Sequence, residues 1–167
     1  SSAGDFNKAL KEAYPKLSEK ELNNQFNNTG KSRDLAMRIY LEQIATTKGE
    51  FEMPLGTVIS IDMMKVEMGN FDRYEKAEKE VFKPLHQMQI DNGYKKRWQL
   101  LRLMSPFGSD TYASHITVNM YKDYNQFFMD RPKGPELNEK EMKAVNDGFA
   151  TRDLKYVYMA RLIRKVR

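Results

Sequence analysis

Apolar and polar positions between residues 57 and 166 alternate in blocks with two distinct periods. Residues 57–68, TVISIDMMKVEM, follow the two-residue period of a strand. Ile59, Ile61 and Met63 share one face, and Val58, Ser60, Asp62, Met64 and Val66 share the other. Gly69-Asn70 ends the run. From Phe71 the period becomes helical, with Phe71, Tyr74, Ala77/Glu78, Val81, Phe82 and Leu85 in one stripe and Asp72, Arg73, Lys76, Lys79 and Glu80 on the solvated side. Pro84 predicts a kink or restart, because it lacks an amide donor and crowds the preceding turn. Asp91-Asn92-Gly93 is a stop signal.

Residues 94–104 read as a second strand, and Pro106, Gly108 and Asp110 mark a long connection. Residues 113–121, ASHITVNMY, form the cleanest strand. Ser114, Ile116, Val118 and Met120 point one way; Ala113, His115, Thr117, Asn119 and Tyr121 point the other. Asp123 is placed to cap a helix from Tyr124. Arg131-Pro132-Lys133-Gly134-Pro135 reads as an exposed loop, followed by a helical piece over 137–149. The last strand spans about 155–166, although its Arg/Leu/Ile mixture also fits a helix.

The order strand, helix, strand, strand, helix, strand is the split β-α-β signature of a ferredoxin-like α+β fold. It predicts a four-stranded sheet with helices on one face. The sets Ile59/Ile61/Met63 and Ile116/Val118/Met120 are expected under the helices. The polar stripe is expected on the bare face, where a second sheet would cover it.

The first 46 residues echo the end of the chain. Asp5-Phe6-Asn7 matches Asp123-Tyr124-Asn125, and Leu17-Ser18-Glu19-Lys20-Glu21-Leu22 matches Leu137-Asn138-Glu139-Lys140-Glu141-Met142. Ser32-Arg33-Asp34-Leu35 matches Thr151-Arg152-Asp153-Leu154, and Ile44 matches Ile163. Either this is chance, or residues 5–46 are the last helix and strand of a preceding copy of the unit. The repeat reading makes 17–26 a helix and 35–44 a strand. Met37, Tyr40, Leu41 and Ile44 also fit helical spacing, with Ser32 as cap. The division is then 1–50, a helix-plus-strand extension, and 51–167, the α+β domain. Pro54 and Gly56 lie in the linker between them.

On these stretches the unit over 57–166 resembles the dimeric α+β barrel superfamily. The resemblance rests on element order, the helix through Lys83-Pro84-Leu85-His86-Gln87, the strand bearing Trp98, and residues 113–121. It covers about two-thirds of the chain and includes no diagnostic catalytic motif. It implies two ferredoxin-like sheets, from two subunits or two tandem copies, packed face to face around a lumen, and hence a homodimer. Members include monooxygenases, haem-degrading enzymes, peroxidases, isomerases, cyclases and proteins without known activity. In haem-binding branches a helix supplies the axial histidine. His86 is the residue of that type, although nothing around it matches a family motif, so the cofactor stays unassigned.

Composition narrows the alternatives. The chain has 167 residues, a net charge of +5 and no cysteine, which removes disulfides, thiolate catalysis and cysteine-bound metals. A cysteine-free chain suits an extracytoplasmic compartment without requiring one. No apolar run approaches the ~20 residues of a membrane span, and no signal-peptide pattern opens the sequence. The basic clusters Lys95-Lys96-Arg97 and 161–167 are short and fall on strands, where lysine guards sheet edges, so no nucleic-acid partner is expected. The eleven methionines mostly sit on apolar faces, as adaptable core filler or a flexible pocket wall.

His115 leads the candidate chemistry. It shares its face with Thr117, Asn119 and Tyr121, and the neighbouring strand brings Ser60 and Asp62. A histidine beside a carboxylate serves as general acid or base; the same residues equally make an inert hydrogen-bonded interface. The candidate catalytic pair is therefore His115 and Asp62, with Ser60, Trp98, Thr117, Asn119 and Tyr121 lining a ligand. Trp98 fits core packing as well. Two separate histidines give no metal-site spacing, and no phosphate loop or serine-nucleophile motif is present. Two functions stand open: a small-molecule binder or enzyme using the lumen, or a non-catalytic oligomerisation module.

Overall fold

The computed structural model describes residues 3–31, 37–130 and 136–165, with the backbone alone for 3–7 and 26. The exposed loop expected over 131–135, the proposed cap Ser32, the segment 32–36 and Val166 lie outside the described residues. The chain divides into two compact units, Ser1–Arg38 and Ile39–Arg167.

In the first unit, helix α1 spans Ala3–Ala13 and α2 spans Glu19–Lys31. Ser18 and Glu21 form a capping box. The Glu21 carboxylate accepts from the Ser18 amide at 2.8 Å, and Ser18 Oγ accepts from the Glu21 amide at 3.3 Å. These hydrogen bonds hold the Glu21 carboxyl below the ordinary range.

The second unit is α+β. Strands β1 (Tyr40–Thr46), β2 (Val58–Lys65), β3 (Arg97–Ser105), β4 (His115–Tyr121) and β5 (Asp153–Arg161) form one antiparallel sheet in the order β1-β3-β4-β2-β5. Between β2 and β3 run α3 (Phe71–Ala77), a π-helical turn (Glu78–Phe82) and α4 (Lys83–Asp91). Pro84 explains the wide turn. It has no amide to return to residue 80, and the Lys83 amide reaches the Glu78 carbonyl instead. Helix α5 (Tyr124–Phe128) starts at Asp123, whose side chain accepts from the Gln126 amide at 2.9 Å. Helix α6 (Glu139–Phe149) starts at a capping box of Asn138 and Glu141, the same device as Ser18 and Glu21 in the matched stretch. The chain end is a strand over Asp153–Arg161, not a helix.

Within 35–44 the strand begins at Tyr40, and β1 pairs with β3. The helical alternative is therefore not the conformation there. The echo is imperfect at this point: Ile44 lies inside β1, while its match Ile163 lies beyond the end of β5.

The two sheet faces are the reverse of the expectation. Met64, Val66, Trp98 and Leu100 pack with Tyr74 of α3, joined by Phe71, Ile44 and Ala45. The helices thus cover the face bearing Val58, Ser60, Asp62 and Met64. The opposite face carries Met63, Ala113 and Ile116 with Ile61, Leu101 and Val118, and no helix residue joins that cluster among the described residues. The reason lies in the helix. Its inner stripe holds buried Glu75 and Glu78 beside Tyr74 and Phe82, so it offers polar partners to polar strand positions. Helix α6 docks on this layer through Gly148, where an added Cβ would lie 2.7 Å from Phe82 Cε2.

Candidate functional site

The helix-facing side of the sheet brings together most of the residues singled out from sequence, in two separate networks. The first centres on Asp62 of β2. Its carboxylate accepts from Ser60 Oγ at 2.6 Å, Thr117 Oγ1 at 3.1 Å and Asn119 Nδ2 at 2.8 Å. Antiparallel pairing dictates this: Thr117 lies opposite Asp62, and Asn119 opposite Ser60. Lys95, buried just before β3, donates to Asn119 Oδ1 at 2.6 Å and lies 2.9 Å from His86 Nδ1. With the lysine charged, it is the donor and the imidazole nitrogen accepts. The His86 ring stacks on Trp98 at 4.9 Å. A polar line therefore runs Ser60–Asp62–Asn119–Lys95–His86. Tyr121, on the same face, receives the Lys95 ammonium 6.0 Å from its ring centroid and meets Phe127 edge-on.

His115 belongs to the second network. The expected pairing with Asp62 is not formed, because β2 places Met64 opposite His115. His115 instead meets Glu75 of α3, with Nε2 3.1 Å from Oε1. Its Nδ1 lies 3.1 Å from Ser114 Oγ. Phe71 and Tyr74 close over the ring edge-on at 4.9 and 4.8 Å, leaving it fully buried. Arg102 Nε donates to Glu75 Oε1 at 2.6 Å, and Lys79 Nζ lies 3.6 Å from Oε2. Burial raises the Glu75 carboxyl, but the bonds from Arg102 and His115 outweigh it and hold the group below its ordinary range. Burial lowers His115, with Glu75 opposing only in part. The imidazole is therefore neutral near pH 7, with Nε2–H donating to the carboxylate.

Next to these networks sits a set of buried polar atoms without hydrogen-bond partners: Tyr74 Oη, Glu78 Oε1, Arg152 Nε and Trp98 Nε1. Arg152 Nε approaches Glu78 Oε1 to 3.4 Å, in ion-pair range but outside hydrogen-bond geometry. Burial raises the Glu78 carboxyl, with Arg152 opposing. Burial also raises the Tyr74 phenol, and the Glu78 charge adds to this. Buried polar groups are nearly always satisfied, and exceptions commonly mark a place for water, ion or ligand. One of them, Glu78, opens the π turn, an irregularity frequent at functional sites.

Sequence reasoning did not find Glu75, Glu78, Lys95, Arg102 or Arg152. Only Glu78 carried a signal, as a charged residue on an otherwise apolar helical stripe. No group of three or more His, Asp or Glu suited to a metal ion occurs among the described residues. No helix among them is long and apolar enough to cross a membrane. No protein-family model matches the chain, and neither a curated protein nor a solved structure does.

Proposed function

We propose that the protein binds a small molecule between the sheet and the α3–π-turn–α4 layer, and that Glu78 exchanges a proton with it. The carrying observation is Trp98 Nε1, buried with no hydrogen-bond partner, together with Tyr74 Oη and a Glu78 carboxylate that Arg152 approaches without a hydrogen bond. A ligand carrying one acceptor and one donor would satisfy all three atoms. Glu78, raised by burial, is the acid of this reading. Asp62, held by three donors, orders the polar side of the site, with Ser60, Thr117, Asn119 and Tyr121 around it. His115 acts through Glu75, holding α3 on the sheet. This reading puts the site inside the second unit, under the helices, rather than in a lumen between sheets.

A specific observation favours the non-catalytic alternative. Asp62 is saturated by its donors and both His115 nitrogens are held, as in a purely structural network. A crystal structure of the protein as purified, with thermal shifts against small aromatic carbonyl and hydroxy compounds, separates the two. The ligand reading expects density touching Trp98 Nε1 and Tyr74 Oη and at least one stabilising compound. Ordered waters alone, with no compound raising the melting temperature, leave the structural module.

For the assembly, we read β3-β4-β2-β5 as a ferredoxin-like unit whose apolar open face packs on a second sheet, as in dimeric α+β barrels. The antiparallel strand order and the Met63–Ile116 cluster, which no helix residue joins among the described residues, support this. The tandem reading, with β1 as the last strand of a preceding copy, is supported by the matching capping boxes before α2 and α6.

A further inference from the structure

A cleft of about 440 Å³ opens where α6 runs into β5, across from the end of β2. Small-molecule sites typically occupy ~300–1,000 Å³. Its charged lining is Lys65, Arg73 and Arg152 against Glu67 and Asp153. Of the two carboxylates, Asp153 pairs with Lys155 outside the lining, and Glu67 accepts from the neutral Asn70 Nδ2 at 3.1 Å, so the cleft keeps a cationic excess of one. Two of the three cations, Lys65 and Arg73, have no carboxylate partner among the described residues. Lys65 Nζ donates only to the neutral carbonyls of Ser109 and Thr111. Arg73 is exposed and forms no ion pair among the described residues. Arg152 leans against Glu78, but its Nε makes no hydrogen bond. The rings of Phe82 and Phe149, 5.2 and 4.9 Å from its guanidinium carbon, hold the plane of the group in place.

We propose that this cleft binds a small organic anion, with Lys65, Arg73 and Arg152 receiving its carboxylate or phosphate oxygens. Guanidinium groups take such oxygens in pairs, and a ring-backed guanidinium has already lost part of its freedom. Lys65 supplies a point charge on the β2 side and Arg73 one on the α3 side. The inference needs only the cleft and its charges, so it stands or falls apart from the interior site. Occupancy would also draw Arg152 toward solvent and away from Glu78.

The test is a titration of the full chain with phenyl phosphate, inorganic phosphate and benzoate, followed by amide NMR shifts against sodium chloride at matched ionic strength. Saturable shifts centred on residues 65–73 and 150–153 are expected with at least one anion. Arg73→Glu, at an exposed position, is expected to weaken that binding at least tenfold. Phenyl phosphate acting together with inorganic phosphate assigns a phosphate site, and benzoate acting alone a carboxylate site. Shifts no larger than those from chloride overturn the proposal. So does saturable binding centred elsewhere, or binding unchanged in Arg73→Glu.

Discussion

His115 Nε2 sits 3.1 Å from Glu75 Oε1, which makes a strand histidine the inner anchor of a helix carboxylate. The relationship is electrostatically one-sided. Glu75 can only accept, so the neutral imidazole must donate from Nε2 and accept at Nδ1 from Ser114. Arg102 approaches the same oxygen from β3. The pair therefore ties α3 to β3 and β4 at a single point; protonating Glu75 loosens that tie, and protonating His115 puts a charge where burial opposes it.

The pH dependence of stability follows. Both folded-state pKa values are depressed, so each group contributes stability above its unfolded pKa that is lost as pH falls through the folded one. For His115 the loss begins near ~6.5, and for Glu75 near ~4.3. The melting temperature is expected to fall on acidification below neutrality. Subtracting the His115→Gln curve from the wild-type curve isolates the upper part of that fall. A difference that stays flat between pH 7 and 5 contradicts the neutral buried imidazole. Glu75→Ala leaves Arg102 and His115 without their carboxylate and is expected to cost about 3 kcal/mol in urea unfolding.

Gly148 tests how α6 docks. An ordinary exposed helix gains about 0.5–1 kcal/mol from glycine to alanine. Here the new Cβ would lie 2.7 and 2.9 Å from two atoms of the Phe82 ring, a rigid group held beside Phe149. Overpacking of this kind costs about 1–3 kcal/mol. Gly148→Ala is therefore expected to destabilise. Gly148→Ala combined with Phe82→Leu is expected to recover part of the loss, measured by denaturant midpoint. A single variant as stable as wild type removes the close approach.

The alternation of residues 57–68 and 113–121 made the membership of both sheet faces legible, and Asp123, Pro84 and the Asn92-Gly93 stop were readable as local signals. Which face the helices cover was not. Both faces of β2 carry apolar side chains, and the rule that the more apolar face meets the helices failed because Glu75 and Glu78 supply polar partners from the helix side. Ser60, Asp62, Thr117 and Asn119 were recognisable as a group because antiparallel register follows from alternation. His115 was assigned to the wrong carboxylate, since its true partner comes from a helix forty residues earlier, a pairing no strand period encodes. Lys95 read as an edge charge in a basic triplet, and only the fold turns it inward to Asn119.

Glu78 moves stability in the opposite direction to His115. Its folded pKa is raised, so its contribution is full below the unfolded value of ~4.3 and is lost as pH rises through the folded one. Glu78→Gln is expected to flatten that decline, seen as a smaller drop in unfolding free energy between pH 5 and 8 than in wild type. Under the proposed function it also removes the acid, so any turnover found with a bound compound is expected to fall by about 10²-fold or more. A variant that keeps the wild-type pH slope contradicts a buried, raised carboxylate.

The final prediction concerns the open sheet face. Ile61, Met63, Ile116 and Val118 lie there, flanked by Tyr156 and Tyr158 of edge strand β5, each about half exposed at 53% and 48%. Tyr112 packs edge-on against Tyr156, and Tyr156 stacks on Tyr158, so aromatic surface continues the apolar sheet centre at its β5 edge. An unpaired apolar edge is a template for association unless charge or a covering element blocks it. Barrel-type assembly therefore expects a dimer by light scattering at high micromolar concentration. A specific interface of that kind buries about 1,200–2,000 Å² in total. Val118→Glu, in the middle of the face, is expected to give a monomer that keeps its far-UV circular dichroism. Lys140→Glu, on α6, is expected to leave the dimer intact. A wild-type monomer at these concentrations, or a Val118→Glu dimer, removes the face-to-face assembly.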